Sequence, residues 1–306
     1  MKKKKIKQDA SSVNSHLISR PIQRCFPVFM IPTFLAFCVG FVWPFLQGIY
    51  LSFCNFRTPR DAEFIGISNY IKALTDEGFR YSFFYTVVFA FVSIITINVL
   101  AFVVAYFLTQ NIKGANIFRT VFFMPNLIGG IVLGYIWSMI FDGILKAYDT
   151  FLLAKTEYGF WGLLILMCWQ QIGYMMIIYI AGLQSISEEM MEAARIDGAN
   201  KLQTLFRVTI PNMMSSFTIC IFLTLTNSFK LFDQNMALTG GMPVIFQEGG
   251  KMINSTQMLA LNIYQTFYGS GSYRGVAQAK AVLFFILVAI LALTQLRITR
   301  KKEVQQ

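Results

Sequence analysis

Glu188-Glu189-Met190-Met191-Glu192-Ala193-Ala194-Arg195-Ile196-Asp197-Gly198-Ala199, followed after a short interval by Pro211, is the stretch on which the reading of this chain turns. It is polar and helix-forming, yet it lies between two long apolar runs. Such an insert has no place in a bilayer, so it is expected to stand in water as an ordered loop. Ser185-Ile186-Ser187-Glu188 has the Ser-x-x-Glu form of a capping box, and either serine can cap a helix starting there. Glu188 and Glu189 fall in the first turn, where the helix dipole favours acids. Gly198 is placed to end that helix in a left-handed conformation. Asn200, with Gln203 three residues on, can cap a second short helix, and Pro211 marks re-entry into the next apolar run. Two short helices at an angle result. Ala193, Ala194 and Ala199 offer small surfaces that a partner groove can approach, and Glu192 and Asp197 offer charges for pairing.

Outward from the insert the chain is 56% hydrophobic and 13% charged, with 31 Phe, a balance foreign to soluble domains. Six apolar runs are long enough to cross a hydrocarbon core of about 30 Å. Their approximate limits are Phe26–Phe53, Phe83–Leu108, Ile117–Phe141, Phe160–Gly182, Met214–Phe232 and Val276–Leu296. None shows the short alternation of a barrel strand, so the expected fold is an all-α integral membrane protein of six transmembrane helices. The domains expected are a basic tail over residues 1–25, a membrane domain over 26–296 with the loop at about 183–212, and a second basic tail over 297–306.

The net charge is +11. In a soluble protein this would suggest nucleic acid; here it follows the loops. Lys2–Lys5 and Lys7, the loops near Lys113 and Arg195–Arg207, and the C-terminal tail carry most of the basic residues. That excess places both tails and the insert in the cytoplasm, with the lysine run beside anionic membrane lipids. No cleavable signal is expected, because the first apolar run begins only at Phe26. Cys38, Cys168 and Cys220 lie inside spans and read as small apolar residues.

Catalytic chemistry lacks residues to stand on. Gly250-Lys251 is followed by Met252 rather than completing a phosphate-binding loop, and the single His16 sits in a polar tail. No cofactor or metal site is expected in this chain. No Asp or Glu lies at the centre of a span, which argues against coupling to protons or sodium. Lys230 and Asp233 are placed to pair on one helical face, and Lys280 to snorkel outward. Polar and aromatic residues within the spans include Asn98, Asn126, Tyr135, Trp137, Trp169, Gln170, Gln171, Tyr174 and Asn227. Trp169-Gln170-Gln171 stands out, since adjacent carboxamides in an apolar run must face a cavity or another helix. Gly130 and Gly134 have the spacing of a close helix contact. Outside the membrane, a short amphipathic helix is expected around Tyr70–Leu74. The long outer segment Asp233–Gly275 is rich in glycine, including Gly240, Gly241, Gly249 and Gly250.

Ala181-Gly182-Leu183-Gln184-Ser185-Ile186, Glu192-Ala193-Ala194-Arg195-Ile196-Asp197-Gly198-Ala199 and Phe206-Arg207-Val208-Thr209-Ile210-Pro211 resemble the carbohydrate-uptake branch of binding-protein-dependent ABC permeases. Arg119 to Asn126, Ser228 to Asp233, Leu238-Thr239-Gly240-Gly241-Met242-Pro243, Ser255-Thr256 and Ile263-Tyr264-Gln265 agree in order. The resemblance runs from about Pro27 to Leu296 and is nearest to the "F-like" maltose or multiple-sugar type. The departures are Met242 where a third glycine is usual and the absence of extra N-terminal spans. It implies the type I (MetI-like) permease fold with a cytoplasmic coupling helix. It also implies ATPase coupling through Glu192, Ala193, Ala194, Asp197, Gly198, Ala199 and Pro211. The sugar path would be drawn from Trp169, Gln170, Tyr174, Asn227 and Tyr135. Implied partners are a second homologous permease, two ATPase subunits that bind ATP and Mg, an extracellular sugar-binding protein, the carbohydrate and membrane lipids, with no nucleic acid. A stand-alone secondary carrier or facilitator is the alternative.

Overall fold

The computed structural model describes residues 27–28, 30–110, 112–246 and 250–300, with side-chain surroundings up to residue 297. The tail over 1–25, Gly249 and the end of the chain after residue 300 lie outside the described residues. The chain forms two compact units, Met1–Leu51 and Ser52–Gln306.

The described residues of the first unit lie on one helix, α1 (Met30–Ser52), with large exposed apolar side chains such as Phe34, Phe37, Phe41 and Trp43. It contains a π turn at Cys38–Val42, closed by the Trp43 N–H on the Cys38 carbonyl. Pro44 explains the turn. A proline ring clashes with the carbonyl four residues back, and one extra residue in the turn relieves the clash.

The second unit begins with a small hairpin, β1 (Cys54–Asn55) and β2 (Glu63–Phe64), whose loop is tied by the Thr58 and Arg57 backbone N–H groups on Asp61. Those bonds, the Thr58 bond foremost, hold the Asp61 carboxyl below the usual carboxylate range. Next come α2 (Ser68–Thr75), α3 (Glu77–Leu108), α4 (Ala115–Phe123), α5 (Gly130–Leu145) and α6 (Thr156–Gln184). The insert follows as α7 (Glu188–Ile196) and α8 (Lys201–Thr204), then α9 (Met214–Phe229) and α10 (Asp233–Leu238). A second hairpin, β3 (Val244–Phe246) and β4 (Met252–Asn254), precedes α11 (Leu259–Gly269) and α12 (Arg274–Arg300).

Among the described residues, five helices are long and apolar enough to cross a membrane: Met30–Ser52, Glu77–Leu108, Gly130–Tyr148, Thr156–Gln184 and Gly271–Arg297. The pair Lys201–Asn212 and Met214–Phe229, bent by 71°, makes a sixth if the two helices count as one broken span. The third span differs from expectation. Its helix does not run from Ile117 to Phe141; α4 ends at Phe123, a 3-10 turn occupies Met124–Leu127, and α5 starts afresh at Gly130. Pro125 lacks the N–H that would continue the helix, and Ile128 and Gly129 are extended. The fifth span ends at Phe229 rather than Phe232, because α10 begins a new direction at Asp233.

Among the five single helices α6 is the centre, with 67% of its apolar stretch buried against 33% or less for the other four. Phe89, Ile97 and Ala101 of α3 pack with Leu166, Met167, Met175 and Tyr179 of α6 and Cys220 of α9. Tyr179 Oη donates to Asn98 Oδ1 at 2.8 Å, and Asn98 Nδ2 donates to Thr224 Oγ1 at 3.2 Å, so one polar knot joins α3, α6 and α9. Glycine permits two close approaches. A Cβ on Gly173 would stand 1.9 Å from the Phe122 carbonyl oxygen. One on Gly134 would stand 2.5 Å from the Ala237 Cβ. The Gly130–Gly134 pair thus does mark a close helix contact, made with the short α10 rather than with another span.

Two pairings expected from sequence are replaced. Lys230 is exposed, and among the described residues it forms no ion pair with Asp233. Lys280 does not snorkel. It is 1% exposed and donates to Asp76 Oδ2 at 2.6 Å, Asn262 Oδ1 at 3.0 Å and Thr266 Oγ1 at 2.9 Å.

Candidate functional site

The insert emerges directly from the central helix, since α6 ends only at Gln184. The expected capping box at Ser185–Glu188 is not made. Ser185 is still bound to the end of α6, its N–H on the Ala181 carbonyl and its hydroxyl on the Gly182 carbonyl. Ser187 is the N-cap residue of α7 by backbone geometry, without a side-chain bond. The helix keeps its dipole complement, Glu188 and Glu189 in the first turn and Arg195 in the last.

At the other end of α7 the Gly198 N–H bonds the Arg195 carbonyl and the Ala199 N–H bonds the Ala194 carbonyl. That pair of bonds is a Schellman motif, which requires a left-handed residue at Gly198; its φ is +77°. The second cap is complete: Asn200 Oδ1 accepts from the Gln203 N–H at 2.8 Å, and Gln203 Oε1 accepts from the Asn200 N–H at 2.9 Å. After α8 a π turn spans Leu205–Thr209, closed by the Ile210 N–H on the Leu205 carbonyl. Pro211 stands one residue beyond, the same arrangement as Pro44 in α1. The chain then bends at Met213 into α9.

Glu192, Ala193, Asp197 and Gly198 are exposed, and Ala199 and Pro211 are half-buried. Ala194 is the one buried residue of α7, so it seats the helix on the chain instead of facing outward. Sequence reasoning looked to alanines for the outward surface and missed its larger part. Ile196 is 86% exposed, Leu202 67% and Phe206 65%. Three large apolar side chains stand exposed on a short polar insert, where water solvates them poorly. The signal was present in the sequence as apolar residues between capped polar ones.

The residues proposed for a path divide into two groups. Gln170 and Gln171 are buried and already engaged. Gln170 Nε2 donates to the Ile128 carbonyl at 3.2 Å, and its Oε1 accepts from Gln234 Nε2 at 2.7 Å. Gln171 Oε1 accepts from Asn227 Nδ2 at 3.1 Å. These amides fasten the extended link before α5, together with α9 and α10, to α6. Trp169, Tyr174 and Tyr135 instead present open surface, at 43%, 37% and 62%. Trp169 stacks edge-on against Trp137 with ring centres 5.6 Å apart. The Gly240-Gly241 turn and Ser255-Thr256 build the segment between α10 and α11. Thr256 Oγ1 donates to the Met242 carbonyl at 2.6 Å, and buried Asn235 Nδ2 donates to the Thr256 carbonyl at 2.8 Å.

Residues 97–303 match the family described as "binding-protein-dependent transport system inner membrane component". The probable starch degradation products transport system permease protein AmyD of Thermoanaerobacterium thermosulfurigenes is 41% identical over 286 residues, 91% of this chain and 94% of that protein. The multiple sugar-binding transport system permease protein MsmF of Streptococcus mutans is 32% identical, over 90% of this chain and 95% of its own length. A chain of a bacterial ABC transporter involved in import of the acidic polysaccharide alginate has the same fold. It is 16% identical, with a TM-score of 0.75 over 93% of this chain and 98% of that one. With most of its length matched and the insert in place, the chain belongs to the inner membrane components of binding-protein-dependent transport systems.

Proposed function

We propose that this chain forms half of the translocation path of an ATP-driven carbohydrate importer and takes its motion from a separate ATPase through the α7–α8 insert. The observation that carries the reading is the insert itself: two ordered, capped helices between α6 and α9, with Ile196, Leu202 and Phe206 left exposed. The sugar class is supported by the names of the relatives, which mention starch degradation products and multiple sugars.

The insert stands in the cytoplasm with both tails. Ile196, Leu202 and Phe206 fill an apolar groove on the ATPase, while Glu192 and Asp197 pair with charges at its rim. The ATPase subunits bind ATP and Mg. Their closure moves α7, and the Gly198 and Pro211 geometries hold α8 and α9 at fixed angles to it. α6 runs unbroken from Thr156 to Gln184, so displacement of the insert is carried to Trp169 and Tyr174 on the same helix. Those aromatics, with Tyr135 and a second permease opposite, offer faces and hydroxyls to a sugar; Gln170 and Asn227 hold them in place. An extracellular binding protein delivers the sugar. The two states differ in contacts with the ATPase and the binding protein, which is what allows ATP to shift their populations.

Purification from cells, with uptake of a labelled sugar panel and cysteine labelling at Asn200, tests this. Co-purification of an ATPase, ATP-dependent sugar uptake and labelling only from the cytoplasmic side are expected. Uptake by the chain without an ATPase would establish a secondary carrier instead.

A further inference from the structure

The outer connections enclose a cavity that the transport path does not use. α2 has three distinct faces. Ile67, Ile71 and Leu74 form one exposed apolar stripe, at 64%, 56% and 57%. Ala73, with Tyr70 beside it, packs on Val276 and Ala279 of α12. Ser68, Lys72 and Thr75, at helical spacing, form a polar stripe that walls a cavity of about 990 Å³. Asp76 and Thr266, two of the three groups that hold the buried Lys280 ammonium, also line it. Tyr273, 55% exposed, lines the rim. A second cavity of about 280 Å³ adjoins it through shared Asn55 and Ser272. The two make one cleft.

The geometry points to a carbohydrate subsite on the outer face, taking a neutral oligosaccharide of two or three rings. The larger cavity lies at the top of the usual range for small-molecule sites, about 300–1,000 Å³. Hydroxyl and carboxamide groups dominate its lining and can both donate and accept, as sugar hydroxyls require. Asp76 is already neutralised by Lys280, and across the joined cleft Lys72 and Arg57 balance Asp61 and Glu63, so a phosphate or uronate gains nothing over a neutral ligand. Lys280 fixes the Asp76 carboxylate before any ligand arrives, which lowers the ordering cost of binding. Tyr273 offers an aromatic face at the rim. None of the lining residues lies on α5, α6 or α9, so this site is separate from Trp169, Tyr174 and Tyr135. The inference rests on the carbohydrate-importer reading.

The test uses the assembled importer in lipid nanodiscs, without ATP or binding protein, in a Trp169→Ala background that removes the path aromatic. Maltotriose binding is measured by saturation-transfer NMR, with inorganic phosphate as the anionic comparison. Saturable maltotriose binding is expected, weakened about tenfold or more by Tyr273→Ala and by the cavity-filling Ser68→Trp, the loss of one good contact. Absence of maltotriose binding, binding indifferent to both substitutions, or preference for phosphate overturns the subsite. Sugar uptake by vesicles holding the unmodified importer is measured in parallel. Uptake without cavity binding refutes the subsite alone, whereas failure to take up any sugar refutes the reading beneath it.

Discussion

Substituting Asp76 by Asn removes one charge from the Lys280 site and leaves almost everything else in place. Asp76 has two duties. Its Oδ1 accepts from the Gly78 N–H at 2.9 Å as the N-cap of α3, and its Oδ2 accepts from Lys280 Nζ at 2.6 Å. Asn is an equally good N-cap, so Asp76→Asn isolates the ion pair, while Asp76→Ala also loses a cap worth about 1 kcal/mol. Breaking a fully buried pair costs roughly 3–5 kcal/mol because a naked charge is left behind. Here Lys280 is 1% exposed but Asp76 is 39% exposed, and the ammonium keeps Asn262, Thr266 and the Phe79 ring at 5.3 Å. The expected cost of Asp76→Asn is therefore about 2–3 kcal/mol, below the fully buried range. Lys280→Met removes the buried charge itself. It strands Asn262 Oδ1, whereas Thr266 keeps its bond to the Asn262 carbonyl, so the expected cost is about 1 kcal/mol. In the double variant Asp76→Asn no longer leaves an ammonium unpaired, and it should be no less stable than Asp76→Asn alone. Equilibrium unfolding of the purified complex in mixed micelles reads the order. Equal losses from Asp76→Asn and Lys280→Met would refute the argument from buried charge.

Three further outcomes are expected. Gly173→Ala should prevent assembly, because its Cβ would meet a backbone carbonyl, Gly134→Ala should cost about 1–3 kcal/mol, and Gly143→Ala, with open space around it, should be neutral; thermal stability of the complex gives the ranking. Trp169→Ala and Tyr174→Ala should change sugar preference or uptake in an intact complex, whereas Gln170→Ala should lower stability, having lost its bonds to Ile128 and Gln234; uptake assays with yield measurements separate the two. Asn200→Ala removes one half of a reciprocal cap, so about 1 kcal/mol of local stability should be lost and amide exchange across Lys201–Thr204 should quicken, with α7 unchanged.

The spans were legible because crossing a bilayer demands a continuous apolar run, a one-dimensional property. The insert was legible for a similar reason: the Gly198 turn and the Asn200–Gln203 cap are local and set by neighbours in sequence. What failed depended on distant partners. Asp76 and Lys280 are 204 residues apart, and nothing near Lys280 announces its carboxylate. The Ser185–Glu188 box was outcompeted by the continuation of α6, whose terminal carbonyls claimed Ser185 first. Within the third span the signals were present, Pro125 and the Gly129-Gly130 pair, but a continuous apolar composition masks a change of direction. The re-entry of α10 beneath α5 was hidden similarly, although its two small contact residues, Gly130 and Gly134, were visible. Ala193 is exposed as its place in the insert suggested, but Ala194 is buried and Ile196, Leu202 and Phe206 are exposed, because exposure is decided by how α7 and α8 seat on the chain.

The most direct measurement of the central claim is ATPase co-purification with sugar-stimulated ATP hydrolysis and uptake in lipid vesicles, comparing Gly198→Val with the unmodified chain. Nothing lies within 4 Å of a Cβ built on Gly198, so the substitution acts through the backbone alone. A left-handed residue with a side chain costs roughly 1–2 kcal/mol, and more when β-branched, so the turn relaxes and α8 is re-aimed. Ile196, on one side of the turn, is then displaced relative to Leu202 and Phe206 on the other. The variant is predicted to lose ATPase binding or to hydrolyse ATP without proportionate uptake, and Glu192→Ala to do so more mildly. Full binding, full stimulated hydrolysis and full uptake by Gly198→Val would show that the insert does not transmit the motion.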